Sequence, residues 1–178
     1  DLTFDDNKTG IDDLQATLWG QPLRVQYAGE QQDKEYQVKL GLNGEWDNQR
    51  DAVLPTLAHQ TLQGQANWQG SLDLHLYKGG HYYYDAQLTS PLSALALDLP
   101  APYNKPAGRN WPLQVKISGN QDSSVIKGSL NHEWQLQADW SPEQKQFRRF
   151  WLDNQVIERS TGPRLPFSVS TILSEADV

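Results

Sequence analysis

Asp73 and His75 are the side chains whose types and spacing best suit catalysis or metal binding in this sequence. Residues two apart on a β-strand share a face, and a carboxylate beside an imidazole is half of a hydrolytic or metal site. Leucines occupy the alternating positions 72, 74 and 76, however, so Asp73 and His75 lie on the polar face. We therefore expect two solvated side chains on a sheet surface, and neither a catalytic residue nor a metal site.

Two pairs of adjacent carboxylates, Asp5-Asp6 and Asp12-Asp13, are the other candidates for acid–base chemistry. Such chemistry needs carboxyl groups in a cleft, whereas both pairs lie in or beside expected turns, where aspartate commonly caps backbone donors. The sequence also lacks a glycine-rich phosphate loop, a Gly-x-Ser-x-Gly elbow and a His-Glu-x-x-His helix. We expect a protein that is not an enzyme and needs no cofactor.

Composition excludes several further classes of function. The chain has 178 residues, 37% of them hydrophobic, and no apolar run approaches the ~18 residues of a membrane-spanning helix. It contains no cysteine, which excludes disulfides and thiolate chemistry. A net charge of −7 without a basic block argues against nucleic acid as a partner. Because the chain begins at Asp1 and has no methionine, we expect an internal fragment of a longer protein.

Hydrophobic residues alternate with polar ones along most of the chain, which predicts an all-β, antiparallel fold of about ten short strands. One pair of strands is expected at residues 62–68 and 71–77, with a break at Gln69-Gly70. One short helix is expected within residues 47–60, where Pro55 limits its length. Later strands are expected near residues 113–118, 123–130, 132–140 and 146–154.

A proline-rich stretch divides the chain. Residues 1–100 form a first β segment, and residues 101–112 form an extended connector that proline keeps out of helices and central strands. Lys105 and Arg109 give this connector a basic tip. A second β segment follows at residues 113–158, and residues 159–178 form a tail or an edge strand.

The apolar positions of the strands form one aliphatic stripe, with no amphipathic helix long enough to cover it. Its members are Leu23, Val25, Val38, Leu40, Leu42, Leu72, Leu74, Leu76, Leu95, Leu97, Val115, Ile117, Leu136 and Ala138. Either two sheets close on each other as a β-sandwich, or one strongly curved and twisted sheet forms an apolar groove. The pattern alone favours the sandwich and leaves the groove open.

Aromatic residues are frequent, with seven Trp and seven Tyr spread through the chain. Flat rings can form a carbohydrate-binding platform, or they can pack at sheet edges with the polar atom in water. Packing is the favoured interpretation.

Residues 95–108, LALDLPAPYNKPAG, and the Trp-Pro-Leu sequence at residues 111–113 carry a more specific signal. They resemble the YhdP-type, AsmA-like family of Gram-negative bacteria, which has a similar leucine-rich strand, a Leu-Pro-x-Pro-x-x-Lys-Pro element and a Trp-Pro-Leu restart. The strand pattern of residues 62–74 resembles the same family. The similarity extends over about residues 1–155.

This resemblance implies a fold and a function beyond what composition indicates. YhdP-type proteins are anchored in the inner membrane and extend a repeating β-groove across the periplasm, where they are implicated in moving phospholipid toward the outer membrane. The chain would be an internal segment of that groove. Its apolar stripe would contact acyl chains, and its partners would be neighbouring repeats of the full-length chain and membrane proteins at both ends. A carbohydrate-binding β-sandwich module and a structural spacer domain are the alternatives.

Overall fold

The computed structural model describes residues 2–5, 8–50, 60–101 and 104–154, and nearly all of their regular structure is β-strand. The strands are β1 (Leu2–Asp5), β2 (Lys8–Leu18), β3 (Gln21–Gln31), β4 (Glu35–Asp47), β5 (Leu62–Tyr77), β6 (Tyr82–Ser90), β7 (Leu95–Leu97), β8 (Leu113–Asn120), β9 (Ser124–Leu130), β10 (Trp134–Ser141) and β11 (Gln146–Asn154). The expected all-β class is confirmed, and the last four strands lie where the alternation predicts them.

The strands form one open antiparallel sheet. Its order is β1-β2-β3-β4-β5-β6-β8-β9-β10-β11, which follows the chain except that β7 leaves this path to pair with the start of β5, so that β6 pairs with β8. β1 and β11 lie at opposite edges and do not pair with each other. The described part of the chain therefore forms the open sheet that a groove requires, and the closed sandwich favoured by the pattern alone is wrong.

β5 runs without interruption through the break that glycine suggested at Gln69-Gly70. Gly70 pairs with Leu42 on β4 and with Leu88 on β6, so the ladder continues on both sides. A side chain at Gly70 would begin 3.3 Å from the ring of Trp68. The glycine serves close packing within a long strand, and no turn forms there.

Two other expectations fall largely outside the described residues. Of the span in which a helix was expected, Asp47 ends β4 and residues 48–50 form a turn, while residues 51–59 lie outside. The expected tail or edge strand at residues 159–178 also lies outside.

The proline-rich segment folds back onto β7. Leu97 and Lys105 exchange two backbone hydrogen bonds, with N–O distances of 2.8 and 2.9 Å, and Trp111 N donates to Pro91 O at 3.0 Å. Lys105 is 2% exposed, so it does not form the basic tip that its sequence suggested, whereas Arg109 is exposed. Pairing with β7 brings this lysine against the backbone.

A β-bulge in β2 keeps two charges away from the apolar side of the sheet. Ile11 pairs with Tyr27 and Leu14 with Val25, so β2 has one more residue than β3 in this interval. The extra residue shifts the alternation, and Asp12–Asp13 lie between two apolar positions, both exposed. These carboxylates therefore lie within β2, at its bulge.

A second β-bulge, in β11, keeps two arginines away from the apolar side of the sheet. Asp139 pairs with Arg149 and Trp140 with Phe147, which leaves Arg148 as the extra residue. The neighbouring arginines lie between two apolar positions, and Arg149 Nε is 3.7 Å from Asp139 Oδ2.

Candidate functional site

The registers of the ladders align apolar side chains in rows that cross the sheet, because directly paired residues point to the same face. One row consists of Ile11, Tyr27, Leu40, Leu72, Ala86, Ile117, Ile126, Ala138 and Phe150. The next consists of Leu14, Val25, Leu42, Gly70, Leu88, Val115, Gly128, Leu136 and Leu152. With strands about 4.8 Å apart, each row spans roughly 40 Å. We call the side of the sheet that carries them the apolar face.

The two faces differ sharply in charge. No Asp, Glu, Lys or Arg occupies the apolar face in the described ladders from β2 to β11. The opposite, polar face carries the charged side chains of the same strands, among them Arg24, Lys39, Asp73, Lys116 and Lys127. A sheet with one apolar and one polar face must cover the apolar face or use it.

The described residues do not cover the apolar face. Their strands belong to one sheet, apart from the short pairing of β7 with β5, and few of their hydrophobic side chains are buried. Leu40, Leu72 and Val115 in the central rows are only half-buried, and Leu76 is 39% exposed. A contiguous apolar surface of this extent marks a binding surface more often than a solvated one.

The predicted stripe falls mostly on this face. Leu23, Val25, Val38, Leu40, Leu42, Leu72, Leu74, Leu76, Val115, Ile117, Leu136 and Ala138 lie together on it. Leu95 and Leu97 are placed apart, on β7, where they pair with Gly64 and Leu62. Leu95 is buried there, beneath the proline-rich segment.

Several members of the rows were missed by the sequence analysis. Leu88 and Ile126 belong to alternating runs, and that period was sufficient to find them. Leu14 and Leu152 were harder to assign, because each lies beyond a bulge that shifts the alternation relative to the neighbouring strand.

Aromatic rings lie close against glycines of the apolar face. A side chain at Gly44 would begin 2.6 Å from the ring of Trp68, and one at Gly29 would meet the hydroxyl groups of Tyr27 and Tyr36. The rings occupy the space that a glycine leaves free. These three aromatics therefore pack on the sheet.

The two ends of the apolar face carry different polar groups. At the end where β3 begins, Gln21 Nε2 donates to Asp47 O at 3.0 Å and Asp47 N donates to Gln21 Oε1 at 3.2 Å. At the end where β4 begins, Tyr27 and Tyr36 share a hydroxyl–hydroxyl bond of 2.7 Å, with Thr9 Oγ1 3.4 Å from each. Hydrogen bonds donated by Thr9 and Tyr27 lower the pKa of Tyr36.

Asp47, at the end where β3 begins, belongs to a local hydrogen-bond network. Gln49 N donates to its Oδ1 at 2.9 Å and Gln65 Nε2 to its Oδ2 at 3.3 Å, while Arg50 Nε lies 3.5 Å away. The hydrogen bonds from Gln49 and Gln65, with a smaller contribution from the charge of Arg50, lower the pKa of the Asp47 carboxyl group. This network closes the turn after β4.

Asp73 and His75 lie on the polar face, as expected. Gln37 Nε2 donates to both carboxylate oxygens of Asp73, at 2.8 and 3.1 Å, and the imidazole of His75 lies between Asp73 (3.3 Å) and Glu35 (3.4 Å). Within the described ranges no cluster of His, Cys, Asp and Glu side chains suits a metal ion. The arrangement is that of a cross-strand polar network on a sheet surface.

Comparison with known proteins identifies the family. The sequence model of the YhdP protein family matches residues 1–178. The chain belongs to the YhdP family. This confirms the resemblance carried by the proline-rich element and the Trp-Pro-Leu sequence.

A relative within the YhdP family gives a measure of the similarity. The intermembrane phospholipid transporter YhdP of Escherichia coli (strain K12) is 31% identical over 155 residues, which are 86% of this chain. The chain spans about 12% of the length of that relative. No solved structure matches the present chain. In the described residues of this YhdP family member, no helix is long and apolar enough to cross a membrane.

Proposed function

We propose that this chain is a segment of a phospholipid transporter, and that its apolar face carries acyl chains between the inner and outer membranes. The observation that supports this most directly is the apolar face itself, uncharged from β2 to β11 and uncovered by the described residues. Membership of the YhdP family, with a relative named as an intermembrane phospholipid transporter, supports the substrate class. The segment would work in the periplasm, within an inner-membrane-anchored protein.

The two rows of apolar side chains suit the passage of a lipid across the sheet better than its tight binding at one place. Each buried methylene contributes about 0.8 kcal/mol, so partial burial of one acyl chain already holds a lipid. Leu40, Leu72 and Ile117 offer the chain similar aliphatic contacts on successive parts of the sheet. Because none of these three positions is charged or fully buried, a lipid can move across strands without being held strongly at one place.

The positions proposed to contact acyl chains are those of the predicted stripe that share the apolar face. Leu95 and Leu97, which lie apart on β7, are not among them. The neighbouring segments of the longer protein would continue the face beyond β1 and β11, whose outer edges are unpaired in the described sheet.

A matched pair of substitutions on β4 tests the proposal. We expect Leu40→Asp to reduce phospholipid binding at least about tenfold, because a carboxylate among acyl chains must be desolvated without a partner. Lys39→Asp introduces the same side chain one residue away, on the exposed polar face, and should leave binding unchanged. Native mass spectrometry of the detergent-free protein incubated with phosphatidylglycerol measures the occupancy of each.

Three outcomes would contradict this function. Equal occupancy in Leu40→Asp and the parent would exclude the apolar face as the lipid site. An absence of lipid in all variants, with quenching of tryptophan fluorescence by sugars, would favour the carbohydrate-binding module. An absence of both lipid binding and sugar quenching would favour the structural spacer.

A further inference from the structure

The apolar face has a hydroxyl-bearing rim at only one of its two ends. We use the name hydroxyl rim for Thr9, Tyr27, Tyr36, Tyr82, Tyr84 and Ser124, which lie where β2, β4, β6 and β9 begin and β3 ends. All are on the apolar face by register. The opposite end carries the indole rings of Trp46, Trp68 and Trp134, whereas Trp140 pairs with Ser124 at the hydroxyl end. What distinguishes the two ends is the tyrosine hydroxyl groups, which in the described strands of this face lie at one end.

The polar groups at the indole end are already engaged by the backbone. Gln21 exchanges two hydrogen bonds with the Asp47 backbone, and Ser90 Oγ donates to Asn67 O at 2.7 Å. Ser90 Oγ also accepts from Leu92 N at 3.2 Å. These groups hold the ends of the strands together and offer little to a ligand.

The hydroxyl rim is bonded differently, because its groups bond to one another. Tyr84 and Ser124 share one bond of 2.6 Å, and Tyr27 and Tyr36 share one of 2.7 Å. Two hydroxyl groups that share a single bond have two protons between them, so one proton of each pair stays outside that bond. Thr9 Oγ1, 3.4 Å from both Tyr27 and Tyr36, donates its own proton within this cluster. The rim can therefore donate to an added acceptor by rotating these hydroxyl groups.

The space between the rim and the indole end fits one acyl chain lying along the strands. Leu74, which pairs with Tyr84, and Trp68 are six residues apart on β5. At about 3.3 Å per residue this is roughly 20 Å, against about 15 Å for one leaflet of a bilayer's hydrocarbon core. A chain whose polar head lies at the rim would thus be covered over its whole length.

We propose that the hydroxyl rim binds the phosphate group of the lipid, with the acyl chains running along the strands toward Trp68. This rests on the proposed function and adds an orientation to it. The tyrosines of β4 and β6 are two strands apart, about 10 Å, so the phosphate moves from one hydroxyl cluster to the next as the lipid crosses the sheet. Neutral donors suit this role, because they hold an anion without the strong trap that a lysine would form.

The test removes hydroxyl groups and keeps the rings. The double variant Tyr36→Phe/Tyr84→Phe is compared with Tyr83→Phe, whose hydroxyl lies on the polar face and donates to Asp85 Oδ2 at 2.5 Å. Each protein is titrated with palmitoyl-oleoyl phosphatidylglycerol and with palmitoyl-oleoyl glycerol, which has the same acyl chains but no phosphate. Leu40→Asp is included to report acyl binding alone.

We expect the double variant to lose about tenfold or more in affinity for the phospholipid, as hydrogen bonds to charged groups contribute that much. Its affinity for the diacylglycerol should change less than about twofold, and Tyr83→Phe should match the parent for both. Unchanged phospholipid binding in the double variant, or equal losses for both lipids, would overturn the phosphate site. Failure of the parent to bind either lipid would instead overturn the proposed function.

Discussion

Lys105 brings an ammonium group into the contact between the proline-rich segment and β7. Its Nζ donates to Leu95 O, and the residue is 2% exposed. Burial, with a smaller contribution from Arg109, lowers the pKa of Lys105. A lowered pKa means that the folded state disfavours the charged form, so this lysine costs stability at neutral pH.

Replacing this lysine should stabilise the chain. We expect Lys105→Met to raise the free energy of unfolding at neutral pH by about 1 kcal/mol, because methionine fills a similar volume without a charge to desolvate. In the parent, stability rises with pH between the lowered folded pKa and the ordinary value near 10.5, where only the unfolded state holds the proton. The advantage of methionine should therefore shrink in that window. Urea denaturation at neutral and alkaline pH measures both effects.

The control for this substitution is Lys116→Met, on the polar face, where the side chain is exposed. Its free energy of unfolding should stay within about 0.5 kcal/mol of the parent. If Lys105→Met proves less stable than the parent, the hydrogen bond to Leu95 outweighs the desolvation of the ammonium group.

At the scale of elements, Gly64 lies where the pairing of β5 changes from β7 to β4. Its φ is +100°, and a side chain there would begin 2.5 Å from Ala94 O. Beyond this point β5 pairs with β4, and at this point it pairs with β7. The glycine therefore allows the close approach that fixes the proline-rich segment to the sheet.

We expect Gly64→Ala to lower the free energy of unfolding by about 2–3 kcal/mol, since it adds a steric conflict to an unfavourable backbone conformation. Gly80→Ala isolates the backbone cost, because Gly80 has φ +86° and no neighbour within 4 Å. That variant should lose only about 1 kcal/mol. Urea denaturation compares the two, and equal losses would show that Ala94 is not the cause.

The strands themselves were predictable, because a period of two survives in any half-buried strand. The alternation could not show where a strand contains a β-bulge, or where a strand continues through a glycine that suggests a turn. The bulge at Asp12–Asp13 depends on the register with β3, and the continuity through Gly70 depends on the ring of Trp68. The burial of Lys105 depends on pairing with Leu97. Each is a contact between segments, which local pattern does not encode.

At the scale of the whole molecule, alternation predicted which side chains share a face and not what lies opposite them. A sandwich and an open sheet require the same pattern along each strand, so the apolar stripe was compatible with both. The family resemblance favoured the groove, and the unpaired edges of β1 and β11 in the described sheet agree with it. The hydroxyl rim was not anticipated, because it assembles residues from five strands.

Protection from hydrogen exchange should vary across the sheet. The ladder between β4 and β5 runs from Glu35–Tyr77 to Asp47–Gln65, while β11 pairs on one side only among the described strands. Because edge strands open locally at lower free energy, we expect amides of β11 to exchange at least about tenfold faster than those of β4 and β5. Exchange measured by mass spectrometry with peptide resolution tests this. Equal protection throughout would indicate that the sheet opens only as a whole.

The meander order has a mechanical consequence. Along the main path of the described sheet, each strand is held only by the strands beside it. Tension applied across the strands loads one ladder at a time, beginning at an edge, so the sheet yields by peeling rather than by sudden shear. Each detached strand leaves the remainder of the sheet paired, as in other quasi-one-dimensional folds. A segment of this kind would lengthen under load in small steps, and could re-form behind the strain when the load is released.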